Sequence, residues 1–352
     1  MLKIDSDACR LLFNDPIQTE SAGILLRSRL QASSRRMGFP EGRREKLALV
    51  AAEMSSNLMK HACAKGAIQV WQQPGSILDI VSLDFGPGVN NLELAQKDGY
   101  SATNTLGKGL GSIMRLADEF AIYTQLKRNV KPGNWHGTAI LARFHLTHTK
   151  PSPDSPDDAP PPYEVSLFAR AFDDDRYNGD KVYVQQQGTK LRFLHLDGLG
   201  HGEKAKMATS NLDSYVFGAA DPLALIEKVD LHLRTTERGA VALAGEIDLA
   251  EKSVKIAGVG DMVVHTYQQE KLQSLSFSPG VLGREHRKPS LTRITLAKKS
   301  VLVTVSDGIR RGWNAESFCG LFNQHPQLIA YVLGNIMARM TDDQSICVIR
   351  IS

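Results

Sequence analysis

A run of prolines near the middle of the chain limits the fold more than any other stretch. Thr147–Pro162 (THTKPSPDSPDDAPPP) carries six prolines among Ser, Thr and Asp, with almost nothing apolar. Proline fixes φ and has no N–H to donate, so such a run cannot join a helix or an inner strand and stays extended and semi-rigid. The 352 residues are therefore expected as two bodies, 1–146 and 164–352, joined by a linker over 147–163. Each half is long enough for a core of its own. No internal repeat relates them.

Charge and cysteine usage exclude several classes. Lys+Arg 42 against Asp+Glu 38 leaves +4, and the basic residues are scattered rather than striped, which argues against a nucleic-acid partner. Cys9, Cys63, Cys319 and Cys347 lie far apart with no CxxC, the pattern of reduced packing cysteines. The start, MLKIDSDACRLLF, has no basic-then-apolar signal, and no apolar run approaches a membrane span. A soluble, cytoplasmic protein without membrane contact is expected.

In the first half a short strand (Cys9–Asn14) and a helix (Pro16–Met37) precede EGRREKLALVAAEMSSNLMKHA. There Leu47, Val50, Met54 and Leu58 form an apolar stripe at helical spacing. Glu53, Asn57 and His61, four apart, share a second, polar stripe. Strands Ala67–Gln73 and Ile77–Leu83 follow, the second ending at Asp84-Phe85-Gly86-Pro87-Gly88. A glycine loop, Gly107–Ser112, then opens a short helix over Ile113–Ala117, and strands Phe120–Gln125 and Gly137–Phe144 close the domain.

These pieces suit a nucleotide. A carboxylate and an amide one turn apart can activate a hydroxyl and hold Mg²⁺. An acid at a strand tip can accept from an exocyclic amine such as adenine N6. Glycines at a helix start offer N–H groups to phosphates, with Lys108 adding charge. Each piece also has a plainer reading: a solvated helix face, a flexible loop, a packing or capping His61.

The second half is punctuated by acids at strand ends. Leu191–Gly202 (LRFLHLDGLGHG) is a strand stopping at Asp197-Gly198, and Ser300–Ser306 stops at Asp307-Gly308. Asp342-Asp343 precede a last strand, Ser345–Ile351, and Asp180 opens another, pairing Lys181–Gln187 with Lys190–Leu196 across Gly188. Asp-Gly is also a common turn, but four such acids exceed what turns require. Oxygen donors without a Cys or His cluster suit Mg²⁺ or Mn²⁺ rather than zinc. Helices are expected over Glu203–Phe217, Pro222–Arg234, Glu316–Asn323 and Pro326–Met340. Strands are expected over Ala240–Asp248, Ser253–Gly258, Met262–Gln268, Lys271–Phe277 and Leu291–Ala297. Strands and helices in blocks, without βαβ alternation, make an α+β class with antiparallel sheets.

ExxxN on a helix, then DxGPG, GKGLG and a late Gly137-Thr138 resemble the GHKL ATP-binding fold, more narrowly the bacterial anti-sigma-factor serine kinases, over nearly all of 1–146. The resemblance implies a Bergerat α/β sandwich that binds ATP and Mg²⁺. It makes Glu53 the catalytic base, Asn57 a Mg²⁺ ligand and Asp84 the adenine reader, with Gly86 and Gly88 beside it. Gly107, Lys108, Gly109 and Gly111 would cradle phosphates, and Thr138 would lie near adenine. It places no contacts in the lid between Asn90 and Leu106.

Beyond the linker, Gly179-Asp180, DGLGHG, AGVG (Ala257–Gly260), SDGI (Ser306–Ile309) and Asp342-Asp343 resemble the SpoIIE-type members of the PPM superfamily of metal-dependent protein serine/threonine phosphatases. AGVGD at Ala257–Asp261 and PGVLG at Pro279–Gly283 bring it nearest the stressosome phosphatases. This implies an α-β-β-α sandwich with two Mn²⁺ or Mg²⁺ ions that share and acidify an attacking water. Asp197 would bridge the ions and the Gly198 carbonyl would support one. Asp307 and Asp342 would hold the other, with Asp180 in or beside the ligand set. His201 would protonate the leaving seryl oxygen, pair with phosphate, or merely cap the next helix. Departures are Asn178 in place of Ser, Ser345 where Thr is commoner, and an upstream acid blurred into Asp173-Asp174-Asp175. Sequence does not separate Asp342 from Asp343.

Together the halves imply a bifunctional bacterial signalling switch. The partner implied is a STAS-type anti-sigma antagonist or stressosome-like phosphoprotein, with a sigma or switch protein as a further partner. Joining two activities through a short spacer raises the effective concentration of one at the other's product. Two rivals stand beside this: a first domain that binds ATP without transferring phosphate, and a phosphatase-like domain without chemistry.

Overall fold

The computed structural model describes residues 2–62, 64–90, 92, 106–147 and 161–352, with the side chains of 106–108 and 174 outside the description. The expected lid, most of the linker, Cys63 and the Lys108 side chain lie outside the described residues. The described chain divides into two compact units. One comprises Met1–Cys9, Pro160–Ala315 and Ile329–Ser352; the other comprises Arg10–Ala159 and Glu316–Leu328. Two short segments thus belong to units on the far side of the proline-rich stretch.

The unit of Arg10–Ala159 and Glu316–Leu328 is one antiparallel sheet faced by helices. Its strands are β2 (Arg10–Pro16), β3 (Gly66–Gln73), β4 (Ile77–Asp84), β5 (Glu119–Gln125) and β6 (Gly137–His145), in the order β2-β3-β4-β6-β5. Helices α1 (Glu20–Arg36), α2 (Glu41–His61) and α3 (Leu106–Leu116) complete it. Thr19 caps α1 by accepting from the Ala22 N–H. The apolar stripe of α2 is buried as its spacing requires: Leu47, Val50 and Met54 are fully enclosed with Ile68, Val70, Leu78 and Ile80 of the sheet. The segment 316–328 packs on the β5 side. Gln125 Nε2 donates to the Ser317 carbonyl at 3.0 Å, and Arg143 Nη2 donates to Gln327 Oε1 at 3.1 Å. Arg143 also forks onto both oxygens of buried Asp79 at 2.7 and 2.8 Å.

The other unit stacks two antiparallel sheets between helices. One sheet runs β1-β8-β9-β10-β11-β14, from β1 (Lys3–Asp5), β8 (Asp180–Gln187), β9 (Lys190–Gly198), β10 (Ala240–Asp248), β11 (Ser253–Val259) and β14 (Thr292–Thr295). The second runs β13-β12-β15-β16-β7, from β7 (Tyr163–Arg170), β12 (Val263–Gln268), β13 (Lys271–Leu275), β15 (Val301–Val305) and β16 (Gln344–Ile351). Helices α4 (Glu203–Thr209), α5 (Asp213–Gly218) and α6 (Pro222–Leu233) cover the first sheet, α4 through Ala208, α5 through Val216 and α6 through Leu225, Ile226, Val229 and Leu233. Helix α7 (Pro326–Ile336) meets the second sheet where Tyr331 crosses Phe168 edge-on.

Several elements differ from the sequence reading. The helix expected over Glu203–Phe217 breaks between Thr209 and Asp213. Thr209 and Ser210 hydroxyls donate back to Ala205 and Lys206 carbonyls, and Asn211 takes φ +60°. The helix expected over Glu316–Asn323 is two 3-10 turns parted by Gly320 at φ +77°. Helix α7 ends at Ile336 rather than Met340 because the next residues leave to brace the Asp307 turn: Arg310 N–H donates to the Met337 carbonyl and Arg339 N–H to the Gly308 carbonyl, both at 2.7 Å. Gly107–Ser112 lies inside helix α3, not in a loop ahead of it. Strands β1 and β7 carry no turn signal or clean alternation and are found only in the fold. β1 is held by pairing with β8, and Lys181, itself buried, forms ion pairs with Asp5 and Asp7.

Candidate active sites

In the unit built on α2 the polar stripe of that helix points at helix α3 and the tip of β4. A Cβ on Gly109 would stand 3.0 Å from Glu53 Oε2 and 3.2 Å from Asn57 Oδ1, so the glycine lies directly on both side chains. Asn57 Nδ2 is buried with no hydrogen-bond partner among the described residues. A buried, unpaired amide beside a carboxylate is costly unless a ligand completes it. The next stripe residue, His61, ends the helix; its Nε2 is buried with no hydrogen-bond partner among the described residues, and burial, then Lys60, push its pKa down. Its carbonyl backs Gly86, leaving 3.3 Å to a Cβ built there.

Asp84 closes β4 and is locked in place. Its Oδ1 accepts from Gly86 N–H at 2.8 Å and Thr138 N–H at 3.0 Å, while Trp135 Nε1 donates to its carbonyl at 3.0 Å. Oδ2 has no hydrogen-bond partner among the described residues, and burial raises the carboxyl pKa. The backbone at Gly137 (φ +142°) runs so close that any Cβ would overlap the Asp84 carbonyl oxygen. Gly88 takes φ +80° beneath the Gln125 carbonyl. Thr138 Oγ1 lies 3.3 Å from Thr124 Oγ1. Glu53, Asn57, Asp84, Gly86, Gly88, Gly109, Gly111 and Thr138 therefore belong to one unit, while the Lys108 side chain is outside the described residues. The donor set (a carboxylate, an unpaired amide and a half-paired strand-tip acid) fits ATP with Mg²⁺.

In the other unit the acids gather where β8, β9, β15 and β16 end. Asp180 and Asp197 are direct cross-strand partners. Asp307 reaches Asp197 from the opposing sheet through its own N–H, 3.3 Å from Asp197 Oδ2. Burial, and then the charges of Asp343 and Asp307, lift the Asp180 pKa to about 8. Burial and the charges of Asp180 and Asp307 hold Asp197 well above the usual carboxylate range. Asp307 is raised by burial, then by Asp342 and Asp261. Mutually raised pKa values are what adjacent carboxylates show when no cation neutralises them. Among the described residues no three acid, His or Cys side chains close on a single metal-sized point. The set nonetheless fits hard divalent ions by its chemistry, carboxylates with a backbone carbonyl at Gly198. A Cβ on Gly198 would stand 2.9 Å from the Ala205 carbonyl oxygen and 3.1 Å from that of Gly179, which is why glycine follows the acid.

The two adjacent aspartates divide the work. Asp343 is buried and ties the backbone: Oδ1 accepts from Phe172 N–H at 2.7 Å and Oδ2 from Gly179 N–H at 2.6 Å. Asp342 is half-buried and faces the Asp307 charge. His201 does not cap the following helix. Gly202 occupies that cap, and the His201 ring packs 5.2 Å from Phe172.

The sequence places His195, Ser306 and Asp261 inside its motifs but assigns none of them a role. His195 is fully buried, between Thr304 Oγ1 and Ser345 Oγ at 2.7 Å each, and burial drives its pKa down to about 3. Its only sequence signal is period two: it shares a strand face with Phe193 and Asp197. Ser306 Oγ accepts from Ser345 N–H at 3.0 Å and bonds Asp180. Asp261, which ends AGVGD, pairs with Arg311 at 2.8 Å and adds to the field at Asp307.

Known proteins resemble both parts of the chain. Residues 18–135 match the histidine kinase-like ATPase domain family, and residues 187–352 match the stage II sporulation protein E (SpoIIE) family. The serine/threonine-protein kinase RsbT of Bacillus subtilis is 30% identical over 92 residues, 25% of this chain and 68% of that protein. The PP2C phosphatase domain with a regulatory fragment of SpoIIE from Bacillus subtilis aligns over 94% of this chain and 95% of that one, at 14% identity and TM-score 0.46. RsbX in complex with magnesium aligns over 55% of this chain and 98% of its own, at 18% identity and TM-score 0.48. No helix among the described residues is long and apolar enough to cross a membrane.

Proposed function

Since the chain belongs to the histidine kinase-like ATPase domain family over residues 18–135 and to the SpoIIE family over residues 187–352, we propose that it is a partner-switching phosphatase that removes phosphate from serine or threonine on a small regulatory protein, with ATP bound by its kinase-like unit. The observation that carries this is the meeting of Asp180, Asp197 and Asp307 from two opposed sheets, each with a raised pKa. Such a site is unfavourable empty and favourable with divalent cations in it.

Asp197 and Asp307 would hold the ions, Mn²⁺ or Mg²⁺, with Asp342, the Gly198 carbonyl and Asp180. A pair of such ions supplies positive charge for the phosphoryl oxygens and acidity for the attacking water. The chain's own share is placement. Ser345 and Ser306 hydroxyls orient Asp180. Asp343 ties the 172–179 backbone next to it, and the Arg310 and Arg339 N–H bonds fix the turn that carries Asp307. No side-chain nucleophile is required for an in-line attack by water.

In the other unit Asp84 would read adenine through Oδ2, and Asn57 would bind the Mg²⁺ that accompanies the phosphates. Gly107 and Gly109, in the first turn of α3 where N–H groups have no intrahelical acceptor, would approach the phosphates through backbone N–H, with Lys108 adding charge; the Gly111 N–H, one turn further in, is spent within the helix. Glu53 would accept the proton of a serine hydroxyl, making this unit a protein-serine kinase of the RsbT type. The partner these two chemistries share is a STAS-type anti-sigma antagonist.

The test uses the full chain, because each unit includes a segment from beyond the proline-rich stretch. Manganese-dependent release of phosphate from a serine-phosphorylated STAS protein is expected, and is expected to vanish in Asp197→Ala. Transfer from labelled ATP to the unphosphorylated partner is expected to vanish in Glu53→Ala. No release with any divalent metal refutes the phosphatase; normal ATP binding without transfer leaves a nucleotide-dependent binding unit.

A further inference from the structure

We propose that His195 is a positioning residue for the Asp180 carboxylate, acting through the Ser345 hydroxyl; the inference rests on the metal-dependent phosphatase reading of this site. His195 lies two residues before Asp197 on β9, wholly buried, and its ring crosses to the opposite sheet. Nδ1 is 2.7 Å from Thr304 Oγ1 on β15, and Nε2 is 2.7 Å from Ser345 Oγ on β16. Ser345 Oγ in turn donates to Asp180 Oδ2 at 2.7 Å.

The polarity of this chain is fixed by counting hydrogens. With Asp180 ionised, as a metal ligand must be, the one proton of the serine hydroxyl goes to the carboxylate. The contact with His195 must then run from Nε2–H to Ser345 Oγ. A neutral imidazole with its proton on Nε2 has Nδ1 as an acceptor, and Thr304 supplies the hydrogen. Each group therefore satisfies the next in one direction, ending on a carboxylate oxygen. The Ser345 backbone is pinned as well, its N–H to Ser306 Oγ at 3.0 Å and its carbonyl to Ser306 N–H at 3.1 Å. With backbone and ring both fixed, the hydroxyl can point only at Asp180. Without the ring the hydroxyl is held by Asp180 alone and is free to rotate.

A polar side chain between two sheets is expensive unless it is satisfied, and an aliphatic residue would serve packing alone. Its companion on the same strand face, Phe193, is of the apolar kind. Partners behind a metal ligand typically change metal affinity about 10- to 100-fold when removed. His195→Leu keeps the packing and loses the chain, while His195→Gln places an N–H₂ near the Nε2 position and restores the donor to Ser345.

The experiment is a calorimetric Mn²⁺ titration of the full chain as wild type, His195→Gln, His195→Leu, Ser345→Ala, Ser345→Thr and the double His195→Leu/Ser345→Ala. Thermal melts and p-nitrophenyl phosphate hydrolysis are recorded alongside. The expected result is a Kd about 10-fold or more weaker in His195→Leu and Ser345→Ala. The double variant should be no weaker than either, and His195→Gln and Ser345→Thr near wild type. Should His195→Leu fail to fold, the Ser345 pair decides. Wild-type affinity in His195→Leu or Ser345→Ala, or additive losses in the double, overturns the positioning role, including where only the melting temperature falls. If the variants lose Mn²⁺ affinity as expected but the wild type hydrolyses no phosphoester, the positioning role stands and the phosphatase reading fails. A wild type that binds no Mn²⁺ overturns both.

Discussion

Asp197→Asn should act with opposite sign on the metal-free and the metal-loaded protein. In the folded, metal-free chain burial and neighbouring charges push the Asp180 pKa up to about 8, far above the ordinary aspartate range, and Asp197 is raised too. For an acid raised on folding, the native state holds the proton that the unfolded state has released. Stability from these groups is therefore full below about pH 4 and declines as pH climbs toward 8. The cross-strand pairing puts the two side chains about 5 Å apart, where two unit charges repel by roughly 3 kcal/mol at an effective dielectric of 20. Since one carboxyl keeps its proton through much of that range, the gain from removing one charge at pH 8 is about 1–3 kcal/mol, or roughly 2–10 °C in melting temperature. Manganese at about 100 times its Kd should stabilise the wild type by about 2.7 kcal/mol. It should do little for Asp197→Asn, which lacks a carboxylate proposed to hold the ions. Melting curves from pH 5 to 9, in EDTA or Mn²⁺, read both effects. The reasoning is refuted if metal-free Asp197→Asn melts below wild type at pH 8, or if Mn²⁺ raises both proteins equally.

Further outcomes follow from other contacts. Asp343→Ala should cost stability with or without metal, because Phe172 and Gly179 N–H groups lose their acceptor, whereas Asp342→Ala should weaken Mn²⁺ binding and leave the EDTA melt near wild type. Calorimetry and melting separate the two. Gly137→Ala should abolish ATP binding in a fluorescent-nucleotide titration, since its methyl group displaces the Asp84 carbonyl that Trp135 also holds. Arg143→Leu should lower stability by about 3–5 kcal/mol in urea, leaving buried Asp79 without its cation. Glu119 is opposed by burial, yet His145, His325 and Arg143 hold its pKa far below the usual carboxylate range. Its stabilisation is present above about pH 4.5 and lost as pH falls, so Glu119→Gln should flatten the acid limb of the stability–pH curve.

Much of this protein is readable in its sequence because the signals are local. The α2 stripes, the strand before Asp84, the β8–β9 hairpin across Gly188 and the Asp-Gly strand ends follow from side-chain period and turn chemistry, which depend on near neighbours. The two family patterns are visible for the same reason, each being a series of short spacings. Distance decides the rest. The three residues of β1 become a strand only because β8 offers an edge and Lys181 needs carboxylates there, and no window of sequence contains both partners. Segment 316–328 lies more than 150 residues beyond the strands it packs on, so its place is set by Gln125 and Arg143, not by its own propensity. Asp342 and Asp343 are alike as letters, and only the tertiary fold gives one the buried N–H groups of Phe172 and Gly179. His195 reads in the sequence as a stray polar residue in a strand. Stacking a second sheet on the first brings Thr304 and Ser345 to its two nitrogens, because burial leaves a polar ring no other way to satisfy them.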